Sequence, residues 1–209
     1  MKKVILISSL FLMLAIVVNA QEDYREKFTV GAKVGMSYSN VYDAEGEEFD
    51  ADAKFGLTGG AFVVIPIGKF LGIQPEILIT QKGFKGSGTL LFQEYSFKRT
   101  TTFLEVPLLL AVKPSEFITV LVGPQFSYLL KQRDVFDSSI ISYDQEQEFE
   151  QDDVRKNIMG FVGGFDITLS HIVVSARIGL DFQTNKGDGN PDTPRYKNLC
   201  TQLGVGYKF

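Results

Sequence analysis

Hydrophobic and polar residues alternate with a period of two through most of this chain, and sustained helical periodicity is absent. Residues 28–38, FTVGAKVGMSY, set the pattern. Phe28, Val30, Ala32, Val34, Met36 and Tyr38 fall on one face, and Thr29, Gly31, Lys33, Gly35 and Ser37 on the other. Similar runs follow at about 55–65, 71–82, 101–112, 117–130, 158–169, 172–183 and 199–209, which predicts eight strands. The connections alternate in length. PIGKF, KPSE and SH are short, while 39–54, 83–100, 131–157 and 185–198 are long and polar. That rhythm predicts an all-β fold, an eight-stranded antiparallel up-and-down transmembrane β-barrel with short periplasmic turns and long extracellular loops. A soluble sandwich has no reason to alternate its loops so regularly.

The polarity of the faces decides which side is inside. In QPEILITQKG, residues 74–83, Pro75, Ile77 and Ile79 share one face, and Gln74, Glu76, Thr80 and Lys82 the other. In a membrane barrel the apolar face meets lipid and the polar face lines the lumen. Parity then sends Lys33, Glu76, Lys82, Glu105, Asp166, Arg177, Asp181 and Lys208 inward, four basic and four acidic residues. An eight-stranded lumen is filled by side chains, and a buried charge there must be paired. The balance predicts a structural ion-pair network, with Arg177 as a bidentate partner of Glu76 or Glu105. Aromatic residues near the strand ends, among them Tyr38, Phe55, Phe70, Tyr128, Phe182, Tyr207 and Phe209, suit membrane interfaces.

The first 20 residues carry Lys2 and Lys3, an apolar run from Val4 to Val18 and a Val18-Asn19-Ala20 cleavage pattern, which reads as a secretory signal peptide. The expected organisation is a cleaved signal at 1–20, a short periplasmic segment at 21–27 and the barrel at 28–209. Without the signal the chain has 19 basic and 25 acidic residues, a net charge of −6, which does not suit a nucleic-acid binder. One cysteine, Cys200, allows no internal disulfide. Parity makes it a small packing residue in the lumen.

Chemistry is sparse. Glu76 and Glu105 are the one candidate acid/base pair, but neither belongs to a recognisable motif. The single histidine, His171, falls in the tight Ser170-His171 turn and marks no triad. The acidic stretches YDAEGEEFDAD and YDQEQEFEQDD lack calcium-loop spacing and read as solvated loops, and DGNPD, Asp188 to Asp192, is a weak candidate for oxygen ligands to a cation. No catalytic residue, cofactor or metal is expected.

The segments IQPEILITQKG, TTFLEVPLLLAV, GPQFSYLL, GGFDITLS and VSARIGL resemble the PorT-like outer-membrane β-barrel proteins of Bacteroidetes, over nearly all of the chain after residue 20. The Gln74-Pro75-Glu76 and Leu104-Glu105-Val106-Pro107 runs are the most distinctive. The resemblance implies residence in the outer membrane and little chemistry. One namesake is associated with a protein-secretion system. The expected function is a non-enzymatic, monomeric envelope barrel that meets lipid and binds envelope partners through its loops. The alternatives are an accessory of a secretion machine, a lipid-acting enzyme and a small-solute channel. Amino-terminal sequencing of the protein recovered from cell envelopes should begin at Gln21; a start at Met1 would overturn the signal assignment.

Overall fold

The structure, a computed structural model, describes residues 24–42, 51–90, 93–138, 142–148, 156–185 and 196–209. The signal-peptide assignment at 1–20, DGNPD and most of the acidic stretch after Tyr42 therefore lie outside the described residues. The strands are β1 (Thr29–Tyr42), β2 (Ala51–Pro66), β3 (Leu71–Leu90), β4 (Gln93–Val112), β5 (Ile118–Ser138), β6 (Ser142–Glu148), β7 (Asn157–Leu169), β8 (Ile172–Asp181) and β9 (Lys197–Lys208).

Neighbouring strands pair in the order β4-β3-β2-β1-β9-β8-β7-β5, and a further β4–β5 pairing closes the ring into an eight-stranded antiparallel barrel. Closure leaves no edge within the wall, so no strand has to meet hydrocarbon unpaired. The ninth described strand, β6, stands outside the ring and pairs with the outer half of β5.

Burial is inverted relative to a soluble protein. Val34 is 71% exposed, while its neighbour Lys33 is 8% exposed. Ile77, Ile79, Val106, Leu108, Ile178, Leu203 and Val205 likewise point outward. Gln74, Glu76, Thr80, Lys82 and Glu105 are buried in the lumen. This is the outward apolar band of a transmembrane barrel.

The outer ends of three strands run further than their hydrophobic patterning suggests. Residues 83–100, read as a loop, continue the β3–β4 ladder from Gly83↔Thr100 to Leu90↔Gln93. Part of 131–157 is also strand, with Lys131↔Glu148 to Asp137↔Ser142 pairing β5 to β6. Above the membrane no face needs an apolar set, so the period-two signal fades while backbone pairing persists.

Two glycines show how tightly the wall is drawn. Gly83 has φ of 147°, a conformation that L side chains disfavour. Ser39 Oγ accepts from Gly83 N (2.8 Å) and donates to Gly83 O (2.9 Å), tying β1 to β3 over β2. A Cβ at Gly164 would press on Ala176 O and lie 2.9 Å from Arg177 Cα. Gly164 thus clears the lumen-side space through which Arg177 passes. Gly164→Val should lower stability by about 1–3 kcal/mol, the usual cost of overpacking, read as a lower urea midpoint in detergent. An unchanged midpoint would show that β7 and β8 can separate there.

Candidate functional site: a charged lumen

The eight inward residues come together in two groups. The lower group lies toward the short turns. Lys33 on β1 donates to Glu76 Oε2 on β3 at 2.6 Å. Gln74 Nε2 donates to Glu76 Oε1 at 2.9 Å, and Arg177 Nη2 on β8 approaches the same oxygen at 3.4 Å. Arg177 Nη1 lies 2.8 Å from Asp166 Oδ1 on β7. That N–H group is directed at the carbonyls of Phe165 and Ala176, at 2.9 and 3.1 Å, so its tie to Asp166 is one of charge rather than a well-aligned hydrogen bond. Lys208 Nζ, nearer the end, donates to Thr168 Oγ1 at 2.9 Å.

In the upper group, Lys82 on β3 stands between two acids, 2.8 Å from Glu105 Oε1 and 3.2 Å from Asp181 Oδ1. Its ammonium also lies 5.2 Å from the Phe103 ring centroid. Amides complete the carboxylates' shells. Gln125 and Gln202 donate to Glu105 at 2.9 and 3.1 Å, and Asn198 donates to Asp181 Oδ2 at 2.7 Å. Cys200 is buried beside this group.

The expected partnership of Arg177 needs correction in its detail. Arg177 does not grip one carboxylate with both arms. It bridges Glu76 and Asp166, and Glu105 belongs to Lys82. Eight closely spaced strands bring β3, β7 and β8 around one bore, so a guanidinium at its centre meets acids from opposite walls. The bidentate fork occurs instead at the outer mouth. There Arg99 Nε and Nη2 donate to Asp134 Oδ1 and Oδ2 at 2.8 and 2.7 Å. Arg99 lies 5.9 and 5.4 Å from the ring centroids of Phe84 and Phe97. Tyr196, 3% exposed, packs edge-on against Phe84 at 5.3 Å; its N–H donates to Asn185 Oδ1 and its carbonyl accepts from Asn185 N, each at 3.0 Å. This cap was missed because Arg99 and Asp134 fall in stretches read as loops. Parity places Gln125 and Gln202 inward, whereas Asn198 falls at the end of a stretch read as a loop.

At the opposite end, Lys113 Nζ donates to Arg25 O at 2.7 Å, holding the short helical turn Tyr24–Glu26 to the wall. His171 sits in the β7–β8 turn as its spacing predicted. Its Nδ1 lies 3.0 Å from Ser170 Oγ and its ring stacks on Tyr207 at 5.4 Å. Among the described residues no cluster of His, Cys, Asp and Glu is arranged to hold a metal ion.

A closed antiparallel barrel with lipid-facing aliphatic side chains and charges inside defines a membrane-spanning β-barrel protein. The chain belongs to the outer membrane protein beta-barrel domain family, whose model matches residues 19–183, and it resides in the outer membrane. Solved structures similar to it include Ail, the attachment invasion locus protein of Yersinia pestis, with 14% identity and a TM-score of 0.42 over 87% of this chain and 98% of that one. Neisserial surface protein A has 12% identity and a TM-score of 0.48 over 87% and 97%. The outer membrane protease OmpT of Escherichia coli has 8% identity and a TM-score of 0.44 over 91% and 99%. Comparison with curated proteins gave no match.

Arg177→Ala takes away the ion-pair partner of Asp166, leaving it the Gln74 amide at 3.4 Å, and removes one of the two cations at Glu76. Unfolding in detergent should show a loss on the order of 3–5 kcal/mol, as when one partner of a buried pair is deleted. Adding Asp166→Asn should recover much of it, whereas adding Glu105→Gln should not, because Glu105 has a different cation. Equal rescue by the two second changes would disprove this division into groups.

Proposed function

We propose that this protein is a non-enzymatic, non-conducting envelope barrel that acts through its extracellular face, with the charged lumen serving as a structural plug. One observation carries the reading: ion pairs cross the bore at two levels. Arg177 on β8 reaches Glu76 on β3, and Lys82 on β3 reaches Asp181 on β8. An eight-stranded bore leaves little beyond the space these side chains fill. Glu76 and Glu105 each hold a cation and an amide donor, and they share no partner. Neither is poised as a free acid or base, which favours the structural role over the lipid-acting enzyme.

Among the described residues the wall reaches furthest outward as the long sheet of β3, β4 and β5, extended by β6. A rigid stem with a tall sheet on one side suits presentation of a surface to an envelope partner. The sequence likeness to PorT-like barrels supports a protein-secretion assembly as that partner, and recovery of such components after mild detergent extraction tests it.

Planar bilayers containing the refolded protein should show no stable open state. Glu76→Gln should leave the baseline closed, because Gln74, Lys33 and Arg177 still fill the same space. A reproducible single-channel conductance in the unaltered protein would reject the plug and establish a channel.

A further inference from the structure

Closure removes the strand edges, but three prolines leave gaps inside the wall. The β2–β3 ladder runs to Phe62↔Glu76 and resumes at Ile65↔Ile73, passing over Val63/Pro75 and Val64/Gln74. The β3–β4 ladder steps from Pro75↔Leu108 to Leu78↔Glu105, over Glu76/Pro107 and Ile77/Val106. The β4–β5 ladder steps from Pro107↔Gln125 to Leu110↔Val122, over Leu108/Pro124 and Leu109/Gly123. The register is the same on both sides of each gap. On the rest of the ring, the β1–β2, β1–β9, β5–β7, β7–β8 and β8–β9 ladders run without a gap.

Each gap contains a proline, which has no N–H to donate. A hydrogen-bonded antiparallel pair exchanges both of its N–H···O bonds, so the carbonyls of Val63, Glu76 and Leu108 each lose their ladder donor. Among the described residues no side chain or turn amide replaces it. The gaps adjoin, because Pro75 stands opposite Leu108 and Pro107 opposite Gln125, the residue after Pro124. They also lie within the apolar runs of their strands. Pro75 falls between Ile73 and Ile77, Pro107 between Val106 and Leu108, and Pro124 between Val122 and Phe126. Proline inside a sheet is normally confined to edges and bulges, and a carbonyl without a donor is costly in hydrocarbon. Behind the wall, Phe62, Val64 and Leu109 are buried and apolar, so the lumen side brings Val63 and Leu108 no donor. In front, Ile65, Ile77, Val106, Leu108 and Val122 are exposed and have no hydrogen to donate.

We propose that this proline patch on β3, β4 and β5 is a docking face for a membrane-spanning segment of a different protein, one that presents serine, threonine or tyrosine hydroxyls at mid-membrane height. Hydroxyl donors join spanning segments because hydrocarbon offers them no competing partner. Lipid chains bring no donor. A second copy packed patch to patch brings only the same aliphatic side chains. The contact lies within the membrane, so it is separate from the extracellular surface and does not depend on whether the lumen conducts.

The test is Förster transfer between the labelled, refolded protein and synthetic spanning peptides in phosphatidylcholine vesicles. One peptide is an oligoleucine helix with two central serines, and the other is its all-leucine counterpart. The unaltered protein should bind the serine peptide at least about fivefold more tightly, the scale of one hydrogen bond between spanning segments. Pro75→Val/Pro107→Val/Pro124→Val returns the missing N–H groups and should abolish the preference. Pro124→Val alone should reduce it, so the test stands even where the triple variant does not fold; heat-modifiable mobility in gels reports folding. Equal binding of the two peptides, or an undiminished preference in the folded variants, would overturn the proposal. Transfer between two labelled copies of the barrel that the proline variants lose would assign the face to self-association and overturn the different partner.

Discussion

In hydrocarbon a backbone amide has no water to turn to, and this one constraint organises the whole molecule. Every wall strand must find two partners, which is met only when the β4–β5 pairing joins the ends of the sheet. Once the ring closes, alternate side chains are committed to lipid or to lumen. The outward set must be apolar, and polar and charged residues are forced into a bore of fixed width. The inverted burial of Lys33 and Val34 follows directly.

Inside that bore the same logic applies to charge. Lys33, Lys82 and Arg177 each meet a carboxylate on another strand, and glutamine and asparagine amides satisfy remaining acceptor positions. Such pairs need not add stability over an apolar filling of equal volume, because desolvation opposes their attraction. Their consequence lies in geometry. The Arg177–Glu76 and Lys82–Asp181 contacts run between β8 and β3 and so span opposite walls of the bore. The Arg99–Asp134 fork and the Tyr196 contact continue the side-chain packing into the outer mouth.

The outer sheet is where physical demands relax. Beyond the membrane no face has to be apolar, and charged residues such as Lys85 and Lys98 occupy the outward positions. The β3–β4 and β5–β6 ladders persist there through backbone pairing without an apolar outward face. A sheet with this freedom can vary its side chains without endangering the stem, which is the usual relation between a rigid scaffold and the surface that carries function.

The sequence by itself determined the eight-strand alternation, the face toward lipid and the inward parity of Glu76, Lys82, Glu105 and Arg177, because each follows from a local period of two. It also made His171 a turn residue. Only the tertiary structure decided who pairs with whom. Arg177 reaches Asp166 and Glu76 while Glu105 turns to Lys82, since partners across a bore are fixed by strand register and shear, which leave no local trace in the chain. The outer reaches of β3, β4 and β5 were equally hidden, because strands in water keep their hydrogen bonds without keeping a hydrophobic rhythm.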